Sequence, residues 1–125
     1  MENKIPNLSQ FTGTEGYTYL NFLKNLKFTD GWVYLTKEAN CYWLADIMAS
    51  VQHLPKIKQD AEFIIWRIDV TGSSAIVSAY SDCEEDGSYL QKSLLYHQKI
   101  NYTDFPEGTF EWYQCDDVIL LKGEY

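Results

Sequence analysis

A chain of 125 residues, 46% hydrophobic and 16% aromatic, has core-formers enough for one domain and too many for a disordered segment. Its net charge of −8 argues against direct binding to nucleic-acid phosphate, which needs clustered Lys and Arg. No apolar run approaches a spanning helix, the N-terminus lacks the apolar stretch of an export signal, and Cys41, Cys83 and Cys115 are too scattered for a disulfide framework. The expectation is a single globular domain over residues 1–125, cytoplasmic and away from membranes, with Cys41 and Cys115 buried and Cys83 exposed.

In chain order, Asn7 to Thr14 reads as an irregular arm. Leu20, Leu23 and Phe28 recur near helical spacing and predict a helix over residues 17–26. Asp30 then reads as an N-cap for a short helix stopped near Asn40. Leu44, Ile47, Met48 and Val51 form one apolar stripe on a second helix from Cys41 to about His53, ended by Pro55. From Glu62 the period falls to two, with Ile64, Trp66, Ile68 and Val70 on one strand face and Arg67 and Asp69 on the other. Thr71-Gly-Ser-Ser reads as a hairpin turn into Ala75–Tyr80, followed by a polar loop from Ser81 to Ser88. Leu94, Tyr96, Ile100 and Tyr102 alternate along a further strand, and residues 109–115 and 118–121 form a last hairpin around Asp116-Asp117. The fold expected is α+β, with two or three N-terminal helices packed on one face of a four- to five-stranded antiparallel sheet.

The patterns that carry chemistry fail on stated requirements. Asp46, Ser50 and His53 share a helix face, but a triad needs histidine between acid and hydroxyl, and here serine is in the middle. Asp82-Cys-Glu-Glu-Asp-Gly opens like a calcium loop, yet the bidentate Glu of position twelve is replaced by Ser93. The cysteines and two histidines show no metal-ligand spacing, and no glycine-rich phosphate loop exists. No catalytic residue, metal or cofactor is therefore assigned. The charge is uneven: residues 82–125 carry ten acids against three lysines, a net −7. A binding surface is expected there, made of Asp82, Glu84, Glu85, Asp86, Asp104, Glu107, Glu111, Trp112, Asp116 and Asp117, and suited to a protein partner with a basic surface.

Gln10-Phe-Thr-Gly-Thr-Glu, Phe28-Thr-Asp-Gly-Trp-Val-Tyr-Leu continuing to Tyr42-Trp-Leu-Ala-Asp-Ile-Met-Ala-Ser-Val-Gln, Ile100-Asn-Tyr-Thr-Asp-Phe-Pro and the closing Leu120-Leu-Lys-Gly-Glu-Tyr reach from near one end of the sequence to the other. In these blocks the chain resembles a family of short bacterial, cyanobacterial and phage proteins, the 6876 family of unknown function. Trp32 stands where the pattern suggests an aliphatic. The resemblance implies one domain and supplies no catalytic residue; its link to phages and mobile elements is its functional hint. The expectation is a non-enzymatic acidic protein acting by protein–protein contact, such as an anti-CRISPR-like inhibitor of a host defence complex. The alternatives are an accessory protein binding a small ligand between sheet and helices, and an enzyme with dispersed acid/base residues such as Asp46 and His97.

Overall fold

The computed structural model describes residues 8, 10–11, 16–19, 25–83, 85–86, 88–89 and 91–125. Among these, strands β1 (Tyr17–Thr18) and β2 (Lys27–Thr29) precede helices α1 (Asp30–Ala39), α2 (Tyr42–Ser50) and α3 (Pro55–Asp60). Strands β3 (Ile64–Thr71), β4 (Ser74–Tyr80), β5 (Leu94–Ile100), β6 (Gly108–Cys115) and β7 (Val118–Leu120) complete a seven-stranded sheet of order β1-β2-β7-β6-β3-β4-β5. β2 pairs with β7 in parallel and the other pairings are antiparallel, so the sheet is mixed.

This overturns the expected four- to five-stranded antiparallel sheet with two or three helices. The strands from β3 onward form as the alternation requires, but β6 crosses over to pair with β3 rather than with β5, so they are not a simple meander. Two N-terminal segments of two and three residues extend the sheet, and they are too short to show any period. Tyr17 and Thr18, expected in a helix, are strand instead; residues 20–24 of that helix lie outside the described residues.

Helix boundaries moved for local reasons. Thr29, in extended backbone, is the N-cap of α1, and Asp30 is the first helical residue rather than the cap. α1 stops where Asn40 turns left-handed at φ 53°, a conformation that asparagine tolerates. α2 buries Leu44 and Met48 of the expected stripe, with Val51 buried just beyond its end and Ile47 half-buried, and it buries Ala45 and Ala49 as well. Pro55 does follow α2, but it also opens α3: its fixed φ and missing N–H suit a first helical position.

Ile64, Trp66, Ile68 and Val70 of β3 share a sheet face with Ala75, Val77 and Ala79 of β4 and with Trp112 and Gln114 of β6. The helices pack on this face. Trp32 of α1 meets Trp112 edge-on at 5.2 Å, and the Trp112 Nε1 donates to Met48 Sδ of α2. Gln114 is fully buried, yet its amide is satisfied by a reciprocal pair with Gln52, by the Asp116 carbonyl and by the Trp66 Nε1 donor. The space between sheet and helices is thus filled by side chains. Trp32, the departure from the aliphatic pattern, is completely buried, and its Nε1 has no hydrogen-bond partner among the described residues.

The C-terminal turn locks this assembly. Leu121 and a 3-10 turn, Lys122–Glu124, follow β7 and bring Glu124 back to the N-terminus of α1. Its carboxylate accepts from the Thr29 hydroxyl at 2.5 Å and the Gly31 N–H at 3.3 Å, and also from the Leu121 N–H at 3.1 Å. An anion there answers the unpaired N–H groups of the first helical turn. Glycine at position 31 permits this approach, since a Cβ there would lie 2.5 Å from Leu121 Cδ1 and 2.6 Å from Glu124 Oε1 and both side chains would have to shift.

Candidate functional site

Among the described residues the α-helices leave the second sheet face open, and its residues follow from the same pleat. Ile65, Arg67 and Asp69 of β3 stand beside Tyr113, Glu111 and Thr109 of β6 and beside Tyr80, Ser78 and Ile76 of β4. The charged residues close a network across the strands. Arg67 Nε donates to both Asp69 oxygens at 3.1 and 2.9 Å, and its Nη1 donates to Glu111 Oε2 at 3.3 Å. Lys122 Nζ bonds Glu111 Oε1 at 2.6 Å, and the Thr109 hydroxyl donates to Asp69 at 2.7 Å. Tyr89, from the β4–β5 connection, donates to Glu111 at 2.5 Å, stacks on Tyr80 at 4.2 Å and lies under the Arg67 guanidinium at 5.4 Å.

These contacts fix the protonation states. Burial opposes charge on Glu111, but hydrogen bonds from Lys122 and Tyr89 outweigh it and hold the carboxyl below its ordinary range. Burial likewise opposes charge on Asp69, and the bonds from Arg67 and Thr109 prevail. Tyr89 is pushed well above a normal phenol by burial and by its bond to Glu111. Arg67 is held still more firmly charged by its hydrogen bond to Asp69. General acid–base work at neutral pH needs a group that titrates near it, and each of these three titrating side chains moves the other way. The network carries two positive and two negative side chains, so it fixes geometry without presenting net charge.

Two grooves flank this face. One, of about 380 Å³, is lined by Leu8, Phe11, Phe110 and Leu121 with Thr109, Glu111, Lys122 and Gly123 at its polar side. The other, of about 360 Å³, lies at the end of α3 and is lined by Gln59, Asp60, Glu62, Phe63, Cys115 and Tyr125. Phe63, Tyr113 and Tyr125 pack with ring centroids 4.9 to 5.3 Å apart beside it, and Lys122 Nζ sits 5.9 Å from the Tyr113 ring.

The residues expected to form one acidic surface are divided by the topology. Asp82, Glu85 and Asp86 lie in the β4–β5 connection and Asp116 and Asp117 in the β6–β7 turn, at the sheet end where β3 begins. Asp104 and Glu107 precede β6 at the opposite end, where the Thr103 N–H bonds the Ser73 carbonyl of the β3–β4 turn. Strands of seven or eight residues put roughly 20–25 Å between the two groups. Glu111 is inside the ion-pair network, and Trp112 is fully buried in the core, out of a partner's reach. Glu84 lies outside the described residues.

Asp46, on α2, and the exposed His97, on the helix-free face of β5, are on opposite sides of the sheet. Ser50 bonds the Ile47 carbonyl of its own helix. Cys41 is buried and its thiol pushed up to about 12 by desolvation, Cys83 is exposed, and Cys115 is half-buried rather than buried. Among the described residues no group of three or more His, Cys, Asp or Glu is placed to hold a metal ion, and no helix is long and apolar enough to cross a membrane. Sequence reasoning missed Arg67, Tyr89, Lys122 and the pair Asp60 and Glu62. Arg67 and Asp69 were legible as the solvent side of a strand; their partners from other elements, Tyr89, Thr109 and Glu111, come from 22 to 44 positions away, with no spacing signal.

Three of the blocks that carry the family resemblance, those around Phe11, Phe28–Leu35 and Leu120–Tyr125, meet in space. Phe11 packs on Tyr34 at 5.3 Å, Gly123 approaches the Phe11 carbonyl so closely that a Cβ would lie 2.9 Å from it, and Thr29 and Gly31 hold Glu124. The model of a family of unknown function (DUF6876) matches residues 2–125, and the chain belongs to that family. Neither the curated proteins nor the solved structures searched yielded a match.

Proposed function

We propose that this family member is a non-enzymatic binding protein that engages the basic surface of a protein partner through the acidic end of its sheet. The observation that carries the reading is the gathering of Asp60, Glu62, Asp82, Glu85, Asp116 and Asp117 at one end by chain segments far apart in sequence. The Asp116 N–H bonds the Ala61 carbonyl at 2.6 Å, which ties the β6–β7 turn to the loop carrying Asp60 and Glu62. Lys27 is engaged with Asp117 at 3.7 Å, and Lys56, Lys58 and Lys92 lie around the same end as counter-charges. Such a field speeds encounter with a basic partner and repels an acidic one. Tyr89 holds the acidic β4–β5 connection to the sheet, so part of the surface is ordered before binding. An anti-CRISPR-like inhibitor of a host defence complex is the narrower form of this proposal.

The test is affinity capture from host lysate at moderate salt. Asp82→Asn, Glu85→Gln, Asp116→Asn and Asp117→Asn combined should lose the captured partner. Asn at position 116 suits the left-handed backbone there, φ 56°. Asp104→Asn with Glu107→Gln, at the other end, should keep it. Equal capture by both variants would sink the proposal.

A further inference from the structure

On the helix-free side of the sheet the same arrangement recurs: a cation over a tyrosine ring beside a carboxylate. Arg67 lies over Tyr89 and pairs with Glu111; Lys122 lies over Tyr113 and pairs with the other oxygen of Glu111. The groove at the end of α3 has the rings and the carboxylates of this arrangement, in Phe63, Tyr125, Asp60 and Glu62, but among the described residues no basic side chain lines it. We infer that this groove is a seat for a guanidinium group, supplied by an arginine side chain of the basic partner.

The geometry supports the assignment from three directions. The volume of about 360 Å³ falls at the small end of ligand sites, the scale of a single side chain or small ligand. The wall rings are held in place before any ligand arrives, because Phe63 and Tyr125 each pack on Tyr113 as well as on each other. Neither Asp60 nor Glu62 is in an ion pair among the described residues. Lys58 is two positions from Asp60, a spacing at which helical side chains do not face each other. Lys56 is one turn back and can compete for Asp60, which leaves Glu62, beyond the helix, as the principal anchor. Guanidinium is favoured over ammonium because its planar, weakly hydrated group stacks on a ring while its edge bonds a carboxylate. Cys115, also in the lining, has a thiol raised by burial and by Asp116, so it stays neutral and does not rival the carboxylates.

This inference rests on the proposed binding of a basic partner and names what that partner presents. It is tested without the partner, by titrating the full chain, isotopically labelled, with acetyl-arginine amide and with its neutral citrulline counterpart. The arginine probe should shift the backbone signals of Glu62, Cys115 and Tyr125 saturably, and citrulline should not. Glu62→Gln should weaken the probe at least threefold, as should Tyr125→Leu; both side chains are exposed, Tyr125 to 74%, so the fold tolerates the changes. Shifts spread equally over Asp104 and Glu107, equal response to citrulline, or unchanged binding by both variants would overturn the groove. If the groove variants fail to weaken the probe while the four-site neutralised chain still loses its partner, the groove falls alone. If the probe binds as expected but the neutralised chain keeps its partner, the binding reading falls and the groove stands as a guanidinium site.

Discussion

Replacing Glu124 by alanine removes the anion that closes α1, and the structure allows the cost to be worked out. Three donors lose their acceptor: the fully buried Thr29 hydroxyl and the Gly31 and Leu121 N–H groups. Hydrogen bonds to a charged group contribute about 1.5 kcal/mol each at the low end, so three would cost about 4–5 kcal/mol if none were replaced. Glu124 is 8% exposed, so water can reach part of the vacated space, and about 3 kcal/mol is expected. For a domain of this size that lowers Tm by roughly 10–15 °C. Glu124→Gln keeps an acceptor oxygen but loses the charge at the helix N-terminus, and should cost about half as much.

Gly31→Ala makes the argument sharper. An alanine in a helix is ordinarily favoured over glycine by about 1 kcal/mol, but here its Cβ would collide with Glu124 Oε1 and Leu121 Cδ1, and the sign reverses to a cost of about 2 kcal/mol. In the Glu124→Ala background the Glu124 part of that cost should vanish while the Leu121 contact stays, giving a coupling of about 1 kcal/mol in a double-mutant cycle. The assay is urea unfolding of the four chains at one pH. Additive effects, or a Glu124→Ala chain within about 0.5 kcal/mol of the parent, would refute this account of the C-terminal turn.

Three further outcomes follow from named contacts. Trp32→Phe removes an N–H that has no partner, whereas Trp66→Phe removes the donor to Gln114, so the second should be at least about 1 kcal/mol the more costly by denaturant midpoint; the reverse order would show that the Trp32 N–H is satisfied after all. Glu111 has a depressed folded-state pKa, so its contribution is present above the ordinary carboxylate value near 4.5 and is lost as pH falls; Glu111→Gln should flatten the decline in urea midpoint between pH 6 and 3, and an unchanged slope would count against the network. Tyr89 has a raised pKa, so its contribution is intact below 10 and is lost as pH rises beyond; Tyr89→Phe should remove an alkaline loss of stability and increase hydrogen exchange in the β4–β5 connection, and neither change would mean that Tyr89 is no anchor.

The sequence by itself determined the parts of the fold that depend on local period and on turn chemistry. The alternation of Ile64, Trp66, Ile68 and Val70 settled both the existence of β3 and which side of it faces the core, and the Asp116-Asp117 turn fixed the last hairpin. It also gave the family, from strings spread along the chain. Only the tertiary structure decided the sheet's size and kind, because β1 and β2 are too short to carry a pattern and β2 pairs with a strand some ninety residues away. Only the tertiary structure divided the acidic half of the sequence between two ends of the sheet, a buried cap, an ion-pair network and a core. Charge read along a chain is a one-dimensional sum. Position on a sheet follows from register, and register set Asp116 beside Asp60 and Glu62 while sending Asp104 and Glu107 to the far end.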